Sequence, residues 1–328
     1  MTVSKALRDK PDVSPATKKR LQELARQMGY VPNVSAQQLR TGDTRLLGLV
    51  ISATSNPVNA RLMMAIEEQA RELGYDLLLA QTLNRTEREE STLRRFIERR
   101  VDGIFLSPVY RMERTAPIYQ DLERRRIPVV LLGSRAPFCE RFPAIETDDA
   151  AASEETTRHL LQLGHRRIAF FAGPLVSPSM QDRLNGYRRA LREADLPADD
   201  TLVFNAGSTI EEGGSAALQF LSEQTGATAI QCSHDLVAIG AANVLLNQGF
   251  KIPGDLSITG FGNILAAEHF RVPLTTVRQP KLRLGAVAVE TMARLLRGEQ
   301  VSSQRLAAPL EIRASTAPPK AVAPAPGA

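Results

Sequence analysis

From residue 46 onward the chain repeats one pattern: a short apolar run, an amphipathic helix, another apolar run. "LLGLVIS" (46–52) precedes a helical stretch over 57–74, and "YDLLLAQ" precedes the helix around "EREESTLRRFIERR". "VDGIFLSPV" and "IPVVLLGS" follow, with a helix between them. A second set begins near 150 with the helix "AASEETTRHLLQLG". It continues through "IAFFAGP", "LVFNAG", "ATAIQCS" and "LSITGFG", each separated from the next by a helix. Continuous apolar runs suit strands that are buried on both faces, and the intervening helices supply both the cover and the crossover. The fold class expected is therefore α/β, with two doubly wound parallel-sheet subdomains. In such folds ligands bind beyond the carboxyl ends of the strands, which places a site in the cleft between the subdomains.

The first 45 residues differ in kind. They hold nine Lys/Arg and four Asp/Glu, a surplus of five, which equals the net charge of the whole 328-residue chain. The remainder balances 32 basic against 32 acidic residues. A neutral body with a basic head points to a polyanion-binding module attached to a ligand-binding domain, although a solvated basic helix would look the same by charge alone. In "MTVSKAL", Val3, Ala6 and Leu7 fall at i, i+3, i+4 and form one apolar stripe of a short helix, with Thr2, Ser4 and Lys5 on the other side. Ser14 is placed to cap a second helix with Pro15 at its first position. Leu21, Leu24 and Met28 make that helix's stripe, with Ala25 beside it, and Gly29 ends it. Asn33 and Gly42 bracket a third, short helix with too little apolar content to stand alone.

These elements carry a resemblance. "TVSKAL…VSPATKKRLQELARQMGYVPN…AQQL" resembles the headpiece of LacI/GalR-family transcription regulators, in the family's order and spacing. The body resembles the same family's effector domain, itself similar to periplasmic sugar-binding proteins. The matching segments are "SNP" (55–57), "LGHRRIAFFAGP" (163–174), "RLNGYRRAL" (183–191), "DLVAIGA" (235–241), "IPGDLSITGFGN" (252–263) and "PLTTVRQP" (273–280). The resemblance covers residues 2–315 and implies a helix-turn-helix headpiece over 1–32 and a hinge helix with linker over 33–44. It implies an effector domain over 45–315, with one subdomain at about 45–148 and 279–308 and the other at about 149–278 and 309–315. The Pro/Ala-rich 316–328 is expected to be a disordered tail.

For DNA, the resemblance implies that Thr2 and Ser4 bond phosphates, that Lys5 reads bases in the major groove, and that Tyr30 and Asn33 touch the backbone near the hinge. Ala36, Gln37 and Leu39 would enter the minor groove, Leu39 as the wedge. The family has a helix and turn ahead of "TVSxAL"; this sequence starts at that segment, so the expectation is a polypeptide that begins further upstream. For the effector, the resemblance points to Arg183 as a fork onto ligand oxygens, to Ser55, Asn56 and Asn59 at the cleft mouth, and to His234 and Asn263. Carboxylates and aromatics common in the family are replaced here by Asn59, Gly133, Ser208 and Gly262. A net-positive cleft is therefore expected, and with it a sugar or an acidic or phosphorylated sugar derivative.

Other classes fare worse. Ser233-His234-Asp235 reads like a catalytic triad in print, but neighbours on a strand point to opposite faces, so the three cannot act in line. Asp235 fits a helix cap better. No glycine-rich phosphate loop and no metal-ligand spacing is present, Cys139 and Cys232 included, so no enzyme, cofactor or metal is expected. No apolar run reaches the ~18–20 residues of a membrane helix, and no secretory leader is seen, which gives a cytoplasmic expectation. The reading is a dimeric repressor that binds operator DNA under effector control. The alternatives are an effector-binding chain whose headpiece no longer binds DNA, or a solute-binding protein.

Overall fold

The computed structural model describes Val3, Ala6, residues 11–30 and residues 44–320. Contacts divide the chain into two units, residues 1–44 and 45–328.

In the first unit, helix α1 (Pro15–Gln27) starts where its sequence predicts. Ser14 is the N-cap and its Oγ accepts the Thr17 N–H at 3.4 Å, with Pro15 at the first helical position. Gly29 ends it with φ +60. Gln22 Nε2 donates to the Ala6 carbonyl at 3.3 Å, and Ala6 and Val13 are buried. The expected stripe is only partly covered: α1 has no buried residue, and Val3, Leu24 and Met28 are exposed.

The second unit holds two sheets. The N-lobe sheet has the order β11-β5-β4-β3-β1-β2 and every pairing is parallel. Its strands are β1 (Leu46–Ile51), β2 (Asp76–Gln81), β3 (Gly103–Leu106), β4 (Val129–Leu132), β5 (Ala144–Thr147) and β11 (Gln304–Leu306). The C-lobe sheet has the order β12-β10-β9-β8-β6-β7, parallel except for the β10–β12 pair. It is built from β6 (Ile168–Ala172), β7 (Val203–Asn205), β8 (Ala229–Cys232), β9 (Ser257–Phe261), β10 (Thr275–Val277) and β12 (Leu310–Glu311).

Helices cover both faces of each sheet, as buried strands demand. In the N-lobe, α2 (Pro57–Glu72) and α10 (Lys281–Leu296) enclose Leu47, Leu49, Ile51, Phe105 and Val130. On the other face, α3 (Thr86–Glu98) and α4 (Pro117–Arg124) enclose Val50, Ile104, Leu106 and Leu131. In the C-lobe, α5 (Asp149–Gln162) and α6 (Pro178–Glu193) pack one face, and α7 (Ile210–Glu223) and α8 (Asp235–Asn247) the other. The α7–α8 contact depends on Gly240, where a Cβ would overlap the Ile210 carbonyl oxygen. Helix α9 (Leu265–Glu268) is a single turn after β9. The chain passes between the lobes three times, after β5, between β10 and α10, and between β11 and β12.

Helix ends repeat one motif with a telling variation. After α1, α2, α5, α8 and α10 the left-handed residue is a glycine: Gly29, Gly74, Gly164, Gly249 and Gly298. After α3 and α4 it is an arginine, Arg100 (φ 53) and Arg126 (φ 55). The bonding is the same, with Tyr75, Val101 and Ile127 donating back to Ala70, Phe96 and Leu122 at 2.9, 3.2 and 3.1 Å. A left-handed non-glycine residue costs about 1–2 kcal/mol.

The expectation of a disordered tail fails for its first part. Thr316 Oγ1 meets His159 Nε2 at 3.1 Å, and the Ala317 carbonyl accepts from His165 Nε2 at 2.9 Å. Lys320 pairs with Asp255. Polar partners hold this Pro/Ala stretch where its composition offers no apolar anchor.

Candidate functional site

The carboxyl ends of β1, β3, β4, β6, β8 and β9 face a cleft of about 460 Å³ between the two lobes. From the N-lobe come Ser52, Asn56, Asn59, Asn84 and Tyr110; from the C-lobe come Ser177, Ser179, Arg183, Ser208 and His234. Apolar walls are supplied by Val58, Val109, Met180, Leu236 and Phe261.

Arg183 lies on the inward stripe of α6 with Met180, Leu184 and Tyr187, at the i, i+3, i+4, i+7 spacing that places side chains on one face. It is only 5% exposed. Its Nε and Nη2 donate to Asp149 Oδ2 at 3.2 and 3.1 Å, and Nη1 donates to the Ser233 carbonyl. The guanidinium stacks 3.5 Å from the Phe261 ring centroid. A guanidinium has five N–H groups, so two of Arg183's have no partner among the described residues. Asp149 opens α5 and also accepts from Thr147. Burial pushes the Asp149 carboxyl up and the Arg183 guanidinium down, each opposed by the attraction of the other.

His234 precedes α8 and lines the cleft, its Nδ1 3.1 Å from Ser233 Oγ. Burial, helped by the charge of Arg183, drives its pKa down to about 3, so the ring is neutral at ordinary pH. Asp235 is not the helix cap: His234 takes the cap position. The Asp235 carboxylate instead accepts from Thr276 Oγ1 at 2.5 Å and from the Ile264 N–H at 2.8 Å, tying the β9 and β10 ends to α8. It does not orient His234, so the Ser233-His234-Asp235 run forms no relay.

On the N-lobe side, Asn56 Oδ1 caps α2 through the Val58 N–H at 2.9 Å. Asn59 Nδ2 donates to Ser52 Oγ at 2.8 Å and to the Ala53 carbonyl at 3.0 Å. Tyr110 donates its hydroxyl to the Ser134 carbonyl at 2.8 Å, and burial pushes its pKa up.

Asn56, Asn59, Arg183 and His234 thus meet in the cleft, whereas two expected residues do not. Ser55 is exposed and off its lining. Asn263 turns away, its Oδ1 accepting from Arg313 Nη2 at 2.8 Å. It borders a second, apolar hollow of about 720 Å³ beside Met64, Leu265 and Leu282. The net-positive cleft is also corrected: Asp149 neutralises Arg183, and His234 adds no charge. Sequence reasoning passed over Asp149, Ser52, Asn84 and Tyr110. Asp149 carried a visible cue, an acid where the short segment "AIET" gives way to a helix.

Of the residues expected at DNA, Tyr30 is described; it is exposed and its N–H bonds the Ala25 carbonyl at 2.9 Å. Thr2, Ser4, Lys5, Asn33, Ala36, Gln37 and Leu39 lie outside the described residues.

Residues 1–33 match the family described as bacterial regulatory proteins, lacI family, and residues 157–316 match the periplasmic binding protein-like domain. The HTH-type transcriptional regulator DegA of Bacillus subtilis (strain 168) is 31% identical over 319 residues, 97% of this chain and 94% of that protein. The HTH-type transcriptional repressor CytR of Escherichia coli (strain K12) is 30% identical over 304 residues, 92% and 87% of the two chains. The crystal structure of the transcription regulator CcpA of Lactococcus lactis superposes with a TM-score of 0.76 at 30% identity, covering 83% of this chain and 98% of that one. Similarity that runs through both the basic head and the two-lobed body makes this chain a member of the lacI family of bacterial regulatory proteins.

Proposed function

We propose that the protein is a cytoplasmic, operator-binding repressor whose DNA affinity is set by a small neutral, polyhydroxylated effector held between the lobes. One observation carries the effector class: the buried Arg183 is already matched by Asp149 and still has two N–H groups to offer. Such a group suits vicinal hydroxyls. An anion would add a charge to a buried pair that is already balanced, at a desolvation cost. The serine and asparagine groups around it add further neutral donors and acceptors.

Effector binding would act by favouring one lobe closure over another, since a ligand shifts an equilibrium only by its differential affinity. The basic surplus in residues 1–45 supports the DNA role, with Lys5 as the base reader and Thr2, Ser4, Tyr30 and Asn33 on the backbone. Ala36, Gln37 and Leu39 would serve the minor groove. A homodimer fits a near-palindromic operator, and the exposed Met64, Leu265 and Leu282 around the apolar hollow offer a face for a second copy. No catalytic step is proposed, because Asp235 is engaged by Thr276 and Ile264 and completes no relay with Ser233 and His234.

The test is calorimetric titration with matched neutral and acidic sugars, followed by mobility shift with and without the best binder. Neutral sugars should bind more tightly and change the shift. Tighter binding of the uronic acid or sugar phosphate sinks the effector class, and an unchanged shift sinks the control mechanism.

A further inference from the structure

The arginines that end α3 and α4 lie on the edge of the N-lobe sheet where the strands begin. β4, β3 and β1 are adjacent and parallel, and each is preceded at this edge by a left-handed arginine: Arg126 (φ 55), Arg100 (φ 53) and Arg45 (φ 53). The Asp102 N–H bonds the Leu46 carbonyl at 2.8 Å, and the Ile104 N–H bonds the Pro128 carbonyl at 2.8 Å, which locks the three approaches side by side. With strands about 4.8 Å apart, the row spans roughly 10 Å. Arg99, Arg124 and Arg125 flank it and are exposed. Arg124 and Arg125 share one acid, Asp121, while Arg99 and Arg126 join no ion pair among the described residues. The acids of this edge are Asp76 at the start of β2, Glu98, Asp102, the shared Asp121, and Glu123, the last paired with Arg141.

The equivalent positions of the C-lobe are different. Its left-handed residues at the ends of α6 and α7 are Asp195 and Gln224. The five glycines show that glycine closes this turn without strain. Backbone strain of this kind marks functional positions. Holding arginine there twice, on neighbouring strands of one lobe, is a choice of charge over backbone ease.

We propose that this N-lobe edge is a second, sequence-independent DNA contact that engages phosphates of duplex flanking the operator. The chain itself argues for DNA rather than an acidic protein. Arg45 is both the last residue of the basic first 45 and the first of this row. The row is therefore joined in sequence to a segment already rich in positive charge. The inference rests on the DNA-binding reading above.

The full chain is compared with its Arg99→Gln/Arg126→Gly variant for binding to a mixed-sequence 40-bp duplex between 50 and 200 mM salt. Arg126→Gly eases the backbone, so the thermal midpoint should hold or rise. The slope of log K on log salt should become shallower by about 2, and affinity near 0.1 M salt should fall about tenfold or more. Lys251→Gln, in the C-lobe turn before β9, should leave both unchanged. An unaltered slope in the double variant overturns the proposal. So does lost binding to polyglutamate with DNA binding intact, which would assign the edge to an acidic protein. Selection from a random duplex pool by the unsubstituted chain tests the underlying reading separately: no enriched sequence counts against operator binding, whatever the edge variant does.

Discussion

The N-lobe and the C-lobe share their winding but meet the cleft with different chemistry. The C-lobe wall holds Arg183 and Asp149 as a buried pair, with Asp235 tying β9 and β10 to α8 beneath His234. The N-lobe wall offers Ser52, Asn56, Asn59, Asn84 and Tyr110, none of them charged. All four histidines of the chain also lie in the C-lobe. Charged groups fixed by several partners cannot rearrange cheaply, while neutral amides and hydroxyls can exchange partners at about 1 kcal/mol each. The C-lobe is thus the pre-set half of the site and the N-lobe the half that adjusts as the lobes close.

The sharpest way to break this contrast is Arg183→Ala. It leaves Asp149 buried without its counter-charge, and the expected loss is about 3–5 kcal/mol, read by chemical denaturation, with effector binding abolished. A loss below about 1 kcal/mol would mean that the pair is not pre-set. Acid comes next. His234 is held near a pKa of about 3 in the fold, whereas the unfolded chain takes up its proton near pH 6.5. Above that pH the group contributes nothing. As pH falls from about 6.5 towards 3, the unfolded state gains the proton first and stability drops by up to about 1.4 kcal/mol per unit. Burial also lowers His159 and His165, which adds to the slope. Hydrogen exchange at pH 5 should therefore rise in β6 to β9 before β1 to β5, and His234→Asn should flatten part of the dependence. Faster exchange in the N-lobe first would reverse the assignment. The smallest effect is expected for Asn59→Ala, which removes two hydrogen bonds on the adjustable wall at about 1 kcal/mol in stability. It should weaken the effector severalfold in calorimetry without altering the pH profile.

Much of this molecule could be read from its sequence. The apolar runs "LLGLVI", "VVLL" and "IAFFA" have no alternation, and that alone demands strands covered on both faces. Arg183 was reached through the family resemblance of "RLNGYRRAL", not through the pattern of its helix. The charge state of the cleft was not reached, because Asp149 lies 34 positions away and approaches only through the packing of α5 on α6. Asn263 shows the opposite failure: it sits at a strand end, as a ligand group would, yet a left-handed backbone (φ 50) turns it onto Arg313. Sequence position places a residue near the cleft; the local turn decides whether it faces in.

The order in which the chain crosses between lobes also bears on its synthesis. Helix α10 and strand β11 belong to the N-lobe but leave the ribosome about 130 residues after β5. At ordinary translation speeds that is a wait of about 7–30 s. Until then Leu47, Leu49, Phe105 and Val130 lack the cover that Leu284, Val287 and Met292 bring. The nascent protein therefore carries a half-finished first lobe, with an open greasy face, through the whole production of the second. It is during this interval, rather than after release, that chaperone capture would matter most.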